Sequence, residues 1–174
     1  IGDKQGGVLY AFGESGDLLA KTPALFGQTV ADALKPGSEN KTIEETAVDE
    51  KITPAGEFRA EGAAKEVTFA KFENSNISIH SVYLGTPAER RMQRLESATA
   101  TDNRVSYGCI NVLPEFVKQV LEPHFSADSR VIIMPEVMAL DKTFPNLSEG
   151  TTNTTSEVPA GASDVAWGGE KYGI

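Results

Sequence analysis

The sequence predicts a mainly β domain, a β-rich α+β fold in which two sheets pack face to face with one or two short helices beside them. Two observations carry that expectation. Most apolar segments of the 174-residue chain are short and bounded by turn residues, and the regular ones alternate with a period of two. Helix signals occur at only two places, a Thr-Pro-Ala-Glu start at residues 86–89 and an apolar stripe beginning at Pro114.

Taken in order, residues 8–12 and 17–19 are apolar runs separated by Gly13-Glu14-Ser15-Gly16, which supplies the turn of a hairpin. The polar stretch over residues 28–53, interrupted by Pro36-Gly37, is longer than ordinary connections and reads as an excursion or flap. Three more strands are expected over residues 56–61, 67–72 and 77–82. Val67 and Phe69 alternate against Thr68 and Ala70, and Glu73-Asn74-Ser75-Asn76 turns the last two strands into a hairpin. In the strand after that turn, Ile77 and Ile79 share one face and Ser78 and His80 the other, so His80 points away from the apolar side.

Thr86 as a capping hydroxyl, Pro87 at the first helical position and Glu89 at the third predict a helix over residues 87–97. It carries Arg90, Arg91 and Arg94, whose plainer reading is a solvated face balanced by Glu89 and Glu96. A second helix starts at Pro114, buries Phe116, Val117, Val120 and Leu121, and stops at Pro123. Residues 130–134 read as a buried strand that Pro135 closes. Beyond Asn146 the composition turns to Ser, Thr, Gly and Ala. The expected organisation is therefore a body over residues 1–145 and a tail over residues 146–174, whose plainer reading is a mobile end and whose Trp167 gives it a residue to dock back on the body.

Composition excludes several partners. With 40% hydrophobic and 24% charged residues the chain reads as one globular core rather than a disordered segment. No apolar run approaches the roughly 18 residues that span a bilayer, and no basic start precedes an apolar stretch, so neither a transmembrane helix nor a signal peptide is expected in a chain that begins at Ile1 as if trimmed. A formal charge of −9 works against a sequence-independent hold on nucleic acid or an anionic membrane. A single cysteine forms no internal disulfide, and one Cys with two His is too thin for a structural zinc site.

The most unusual local sequence is Asn103-Arg104-Val105-Ser106-Tyr107-Gly108-Cys109-Ile110-Asn111-Val112. A core cysteine belongs inside an apolar run, whereas Cys109 follows Gly and sits among small polar residues. The plainer readings are a small buried hydrophobe for Cys109 and a helix cap for Asn111. An unperturbed thiol is only about 3% thiolate at pH 7, and lowering its pKa to 6 raises that fraction about thirtyfold, so covalent chemistry here calls for a histidine. His124 follows Glu122-Pro123 at a helix end, where an exposed imidazole is usual. His80 ends a strand on its polar face, 29 positions before Cys109. Elimination makes Cys109 the candidate nucleophile and His80 its candidate base, although such partnership is spatial and not sequential.

Ile79-His80-Ser81 followed by Ser106-Tyr107-Gly108-Cys109-Ile110-Asn111 resembles the signature of the L,D-transpeptidase catalytic-domain (YkuD-like) family: a His near a strand end, then Ser or Thr, His, Gly, Cys, an apolar residue, and Arg or Asn. Thr53-Pro54-Ala55-Gly56-Glu57-Phe58 is similar to the family's upstream Thr-Pro-x-Gly-x-Phe segment, and Arg130-Val131-Ile132-Ile133 to its closing strand. The match covers residues 7–135 and departs twice. The spacing from His80 to Cys109 is longer than the family's, by an insert that holds the Arg-bearing helix. Tyr107 stands where the family has the His before Gly-Cys, and a phenol with pKa about 10 donates a hydrogen bond but is no base at neutral pH.

The resemblance implies acyl transfer on peptidoglycan stem peptides, with no metal or organic cofactor, at a periplasmic or secreted, cell-envelope location. It implies that Cys109 attacks, that His80 takes and returns the proton, that Ser81 or its carbonyl orients the ring, and that the N–H groups of Gly108 and Cys109, with Tyr107 as a third donor, hold the oxyanion. Arg104, Asn111, Ser106, Tyr83 and Arg94 are the candidates for contacting substrate, Arg104 foremost because it lies five positions before Cys109. The partners it implies are a donor and an acceptor stem peptide. A hydrolase on the same scaffold, an L,D-carboxypeptidase or endopeptidase, and a catalytically inactive peptidoglycan-binding module remain open.

Overall fold

Strands β1 (Gly2–Asp3), β2 (Val8–Phe12), β3 (Leu18–Gly27), β4 (Gly56–Arg59), β5 (Glu66–Lys71), β6 (Asn76–Ser81), β7 (Arg104–Ser106), β8 (Ile110–Val112) and β9 (Arg130–Ile133) make the fold mainly β. They belong to a computed structural model that describes residues 1–62, 65–127 and 129–146. The hydrogen-bonded order is β4-β9-β1-β2-β3-β8-β6-β5, with β7 alongside the end of β3. β3 is long enough to serve two neighbours: it pairs with β2 from Leu18 to Pro23 and with β8 at Ala24 and Leu25. An antiparallel bridge between Glu61 and Thr68 joins the stretch after β4 to β5, so the two ends of the path meet and the sheet is nearly a barrel.

The core lies between the two halves of that path. Leu9 and Ala11 from β2, Phe26 from β3, Val67 and Phe69 from β5, Ile77 and Ile79 from β6, Ile110 and Val112 from β8, and Val131 and Ile133 from β9 are all buried in one cluster. Their positions follow the period-two alternation of each strand, and each fully buried Val, Ile or Phe contributes about 1.5–3 kcal/mol. The expected hairpins over residues 8–19 and 67–82 form, the second around the turn closed by Phe72 N–H on the Ser75 carbonyl.

The helical parts differ from expectation in three places. The stretch over residues 87–97 is not one helix. A single 3-10 turn, Pro87–Glu89, ends at Arg90, which adopts a left-handed φ of 51°, and α1 (Arg91–Leu95) starts afresh. Thr86 makes no side-chain cap bond, so the first turn has nothing to propagate from. The second helix does begin at Pro114 and buries the expected stripe, but it runs from α2 (Pro114–Phe116) through a wide π-type turn, Val117–Leu121, into α3 (Glu122–His124). The chain therefore stays helical one residue past Pro123. A proline lacks an N–H and crowds the carbonyl four residues back, and the widened turn accommodates both. Asn111 is no helix cap, since it lies inside β8 and Leu113 takes the capping position.

After β9 the chain adds α4 (Leu140–Thr143). Among the described residues no helix is long and apolar enough to cross a membrane. The expected tail, including the docking of Trp167, lies outside the described residues. The polar stretch after β3 is indeed an excursion without strands, carrying two 3-10 turns, Ser38–Asn40 and Val48–Glu50. Its base is drawn together by Lys4, whose Nζ donates to the Ala31 carbonyl at 2.8 Å, to Asp32 Oδ1 at 2.6 Å and to the Thr53 carbonyl at 2.9 Å.

Candidate active site

β6 and β8 run parallel with Ile79 beside Ile110 and His80 beside Asn111. Ile77, Ile79, Ile110 and Val112 face the core, so the alternation sends Ser78 and His80 from one strand, and Cys109 and Asn111 from the other, to the opposite face. On that face Asn111 is His80's direct neighbour and Cys109 its diagonal one. The turn that delivers Cys109 needs glycine. Gly108 has φ 132°, and a Cβ there would lie 2.8 Å from the Ile52 carbonyl oxygen.

Two hydroxyls fix the turn. Ser106 Oγ donates to the Cys109 carbonyl at 2.5 Å and accepts from the Gly108 N–H at 3.1 Å. Thr53 Oγ1 donates to the Gly108 carbonyl at 2.7 Å and accepts from the Gly27 N–H at 2.8 Å. Both peptides around the thiol are thereby tied to buried side chains. One consequence corrects an expectation: the Gly108 N–H, a candidate oxyanion donor, is engaged by Ser106.

His80 Nδ1–H donates to the Ser81 carbonyl at 2.7 Å, and its Nε2 lies 3.5 Å from Asn111 Nδ2. Asn111 is buried, and its Oδ1 accepts from Arg91 Nη1 at 2.5 Å. Arg91 Nε in turn donates to Glu89 Oε2 at 2.7 Å. Glu66 stands directly across from His80 on β5.

The Cys109 thiol donates to the Asn76 carbonyl at 3.8 Å and makes no hydrogen bond to His80. Burial pushes its pKa up. A backbone hydrogen bond from Ser78 opposes that rise, the Glu66 carboxylate adds to it and the Arg91 guanidinium again opposes it, with a net rise above the usual thiol value. A lowered value is expected of a nucleophilic cysteine; here burial outweighs the Arg91 guanidinium and the group at rest is a thiol. Cys109 and Tyr107 line a cleft of about 70 Å³ between Leu34, Ile43 and Ile52 of the excursion and Phe72, Asn76 and Ile77 of the β5–β6 hairpin. Tyr107 is 39% exposed, with the Lys51 ammonium 3.7 Å above its ring.

The other expected residues fall elsewhere. Arg104 does not face the cleft; its guanidinium pairs with Glu136 and donates to the Lys4 carbonyl at 2.8 Å. Arg94 staples the insert, with Nε on the Glu89 carbonyl and Nη1 on the Asp102 carbonyl, each at 2.8 Å. Ser106 is fully buried and serves the turn. Tyr83 is 63% exposed, its ring folded over Gly85. His124 is exposed at the end of α3, lining a separate groove with Tyr10 and Phe12. Arg91 enters from the sequence only as one of four arginines, with Arg90, Arg94 and Arg104, of which at least one is expected to face the cleft, and Thr53 only through the segment that resembles the family; Glu66 carries no signal in the sequence.

No protein-family model matches the chain, and no curated protein matches it. Among solved structures it is similar to the L,D-transpeptidase (residues 123–326) from Xylanimonas cellulosilytica, at 14% identity and a TM-score of 0.44, over 76% of this chain and 58% of that one. The chain thus spans a little over half the length of that structure.

Proposed function

We propose that this protein is a cysteine-dependent acyltransferase acting on peptidoglycan stem peptides, with Cys109 as nucleophile and His80 as base. One observation carries the reading. A glycine-held thiol and an imidazole anchored through Nδ1 to the Ser81 carbonyl are diagonal neighbours on the outer face of two parallel strands, and the thiol opens on a cleft. The stem-peptide substrate and the envelope location, periplasmic or secreted, come from the sequence resemblance.

Burial raises the pKa of the thiol, so attack requires a base to take its proton. His80 Nε2 exchanges its long contact with Asn111 for the Cys109 proton as Sγ attacks the carbonyl carbon of the amide that links the diamino acid to the terminal D-alanine. The tetrahedral intermediate collapses with cleavage of the C–N bond, and His80 returns the proton to the departing D-alanine amine. The acyl group remains on sulfur as a thioester. The amine of an acceptor stem then attacks, gives up a proton, and releases the protonated thiol, leaving a crosslink; water in the amine's place leaves a free acid.

Intact-protein mass after exposure to a carbapenem tests the nucleophile: one adduct on the wild type and none on Cys109→Ala is expected. D-Alanine release from a tetrapeptide, with and without an amine acceptor, separates transferase from hydrolase. A second reading, an inactive peptidoglycan-binding module, draws on the thiol's bond to Asn76 in place of His80. An unmodified mass with retained peptidoglycan binding selects it.

A further inference from the structure

We infer that Arg91 is a positioning residue for His80: by fixing which end of the Asn111 amide faces the imidazole, it keeps Nε2 unprotonated, as a hydrogen-bond acceptor. The inference rests on the proposed reading of His80 as base only for its kinetic consequence. Its structural content stands on hydrogen-bond chemistry alone.

A guanidinium has donors and no acceptor. Arg91 Nη1 at 2.5 Å therefore requires the Asn111 oxygen on its side, which turns the Asn111 NH2 group toward His80 Nε2. An NH2 group opposite a ring nitrogen demands a lone pair there. The Ser81 carbonyl, which can only accept, places the ring hydrogen on Nδ1. The two ends of the ring are thus specified by different elements, Nδ1 by the backbone of β6 and Nε2 by the insert acting through β8. Without Arg91 the amide is free to turn over and present its oxygen to Nε2, an arrangement that favours a hydrogen on Nε2 and removes the base.

The insert is built to deliver this one side chain. Arg90, the only described non-glycine residue with positive φ, breaks the stretch immediately before Arg91. Leu95 of α1 is buried with Leu25, Val82 and Val105, which anchors the helix to β3. Arg91 itself is 9% exposed and is held on its outer side by Glu89. Its helix neighbour Arg94, by contrast, bonds only carbonyls within the insert.

The test is nitrogen-15 spectroscopy of the His80 ring at neutral pH, with His124 as the internal reference. In the wild type Nε2 is expected to give a pyridine-type signal and Nδ1 a pyrrole-type one. Arg91→Met should move the Nε2 signal toward the pyrrole type and Arg91→Lys, which keeps a donor, should restore it. Cys109 acylation should fall in Arg91→Met, by less than the about 100- to 10,000-fold expected for losing the base outright. An unchanged Nε2 signal in folded Arg91→Met overturns the inference. If that variant does not fold, Asn111→Asp decides, because it retains the Arg91 partner while setting an oxygen against Nε2. A pyrrole-type Nε2 there supports the relay, and a pyridine-type one overturns it. Absence of any acylation in the wild type counts against the acyl-transfer reading and leaves the ring measurement intact.

Discussion

Two buried ionic groups, one reached from each side of the Cys109 segment, are built to opposite purposes. Around Asp32, charge is closed on itself. Lys4 meets Asp32 and lies within 3.4 Å of Glu136, the carboxylate of Asp32 accepts the N–H groups of Glu136, Val137 and Met138, and Arg104 closes on Glu136. The Lys4 and Asp32 side chains are wholly buried. Around Arg91, the charge is paired only on its outer side by Glu89, and on its inner side a line of neutral groups leads through Asn111 to a ring nitrogen at the long distance of 3.5 Å. Saturated pairs hold a shape, whereas a donor line that ends on a ring nitrogen holds that nitrogen unprotonated through one long contact that the incoming proton displaces. The difference decides which of two arginines near the site is part of its chemistry.

The strongest way to break that comparison is at the reacting atoms. Cys109→Ala is expected to abolish thioester formation altogether, read as an unshifted intact mass after carbapenem treatment. His80→Ala should lower the acylation rate by about 100- to 10,000-fold, the range for a lost general base, while His124→Ala leaves it unchanged. Equal rates in wild type and His80→Ala would remove His80 from the mechanism and leave the Arg91 line pointing at nothing.

Stability separates the two groups next. Lys4→Met leaves the Asp32 carboxylate buried without its cation and should cost about 3–5 kcal/mol in denaturant unfolding. Arg91→Met breaks a charged hydrogen bond to a neutral amide together with the solvent-touching pair to Glu89, and should cost about 1.5–3 kcal/mol. The reverse ranking would mean that the Arg91 line is the structural lock.

Much of this was legible in the chain because strands write their faces into the sequence. The alternation of Ile77 and Ile79 against Ser78 and His80 put His80 on the outer face, and the Gly before Cys109 marked a sharp turn, though not that the close approach there is to Ile52. Arginine roles were not legible. Arg104, five positions from Cys109, meets Glu136, 32 positions further on, whereas Arg91, 18 positions from Cys109, meets Asn111 through a helix whose start depends on a left-handed Arg90. Neither partner is set by local spacing. Asn111 looked like a cap because Pro114 follows it closely, but strand pairing with Leu25 and His80 takes the residue first. Pro123 did not stop its helix because the turn before it widened instead.

Acid sharpens the comparison more gently. Burial pushes the Asp32 carboxyl up, but Lys4 and the three backbone N–H groups outweigh it and hold the carboxyl at about 2 against the usual 3.8. A carboxyl lowered on folding contributes stability that is present above its unfolded pKa and lost as pH falls through the folded one. About 2 kcal/mol should therefore disappear between about pH 4 and pH 2, measured as the fall in unfolding free energy. In Asp32→Asn that part of the acid slope should vanish. A slope unchanged by the substitution would show that other carboxylates carry the acid sensitivity.

The smallest effect is expected at Tyr107, where the family signature that the sequence resembles has histidine. Its hydroxyl makes no hydrogen bond among the described residues, and its ring carries the Lys51 ammonium at 3.7 Å. The ring therefore matters more to the fold than the oxygen. Tyr107→Phe keeps the ring and should change unfolding free energy by less than about 0.5 kcal/mol, the range of ordinary surface substitutions. Tyr107→Leu loses the cation–π contact and should cost about 0.5–1 kcal/mol. The acylation rate separates the remaining roles: if the hydroxyl stays idle during catalysis, Tyr107→Phe reacts within about threefold of wild type, and the oxyanion rests on the Cys109 N–H. A loss of 100-fold or more, the mark of a removed oxyanion donor, would instead place the phenol over the reacting carbonyl as a second donor beside the Cys109 N–H, the Gly108 N–H being already engaged.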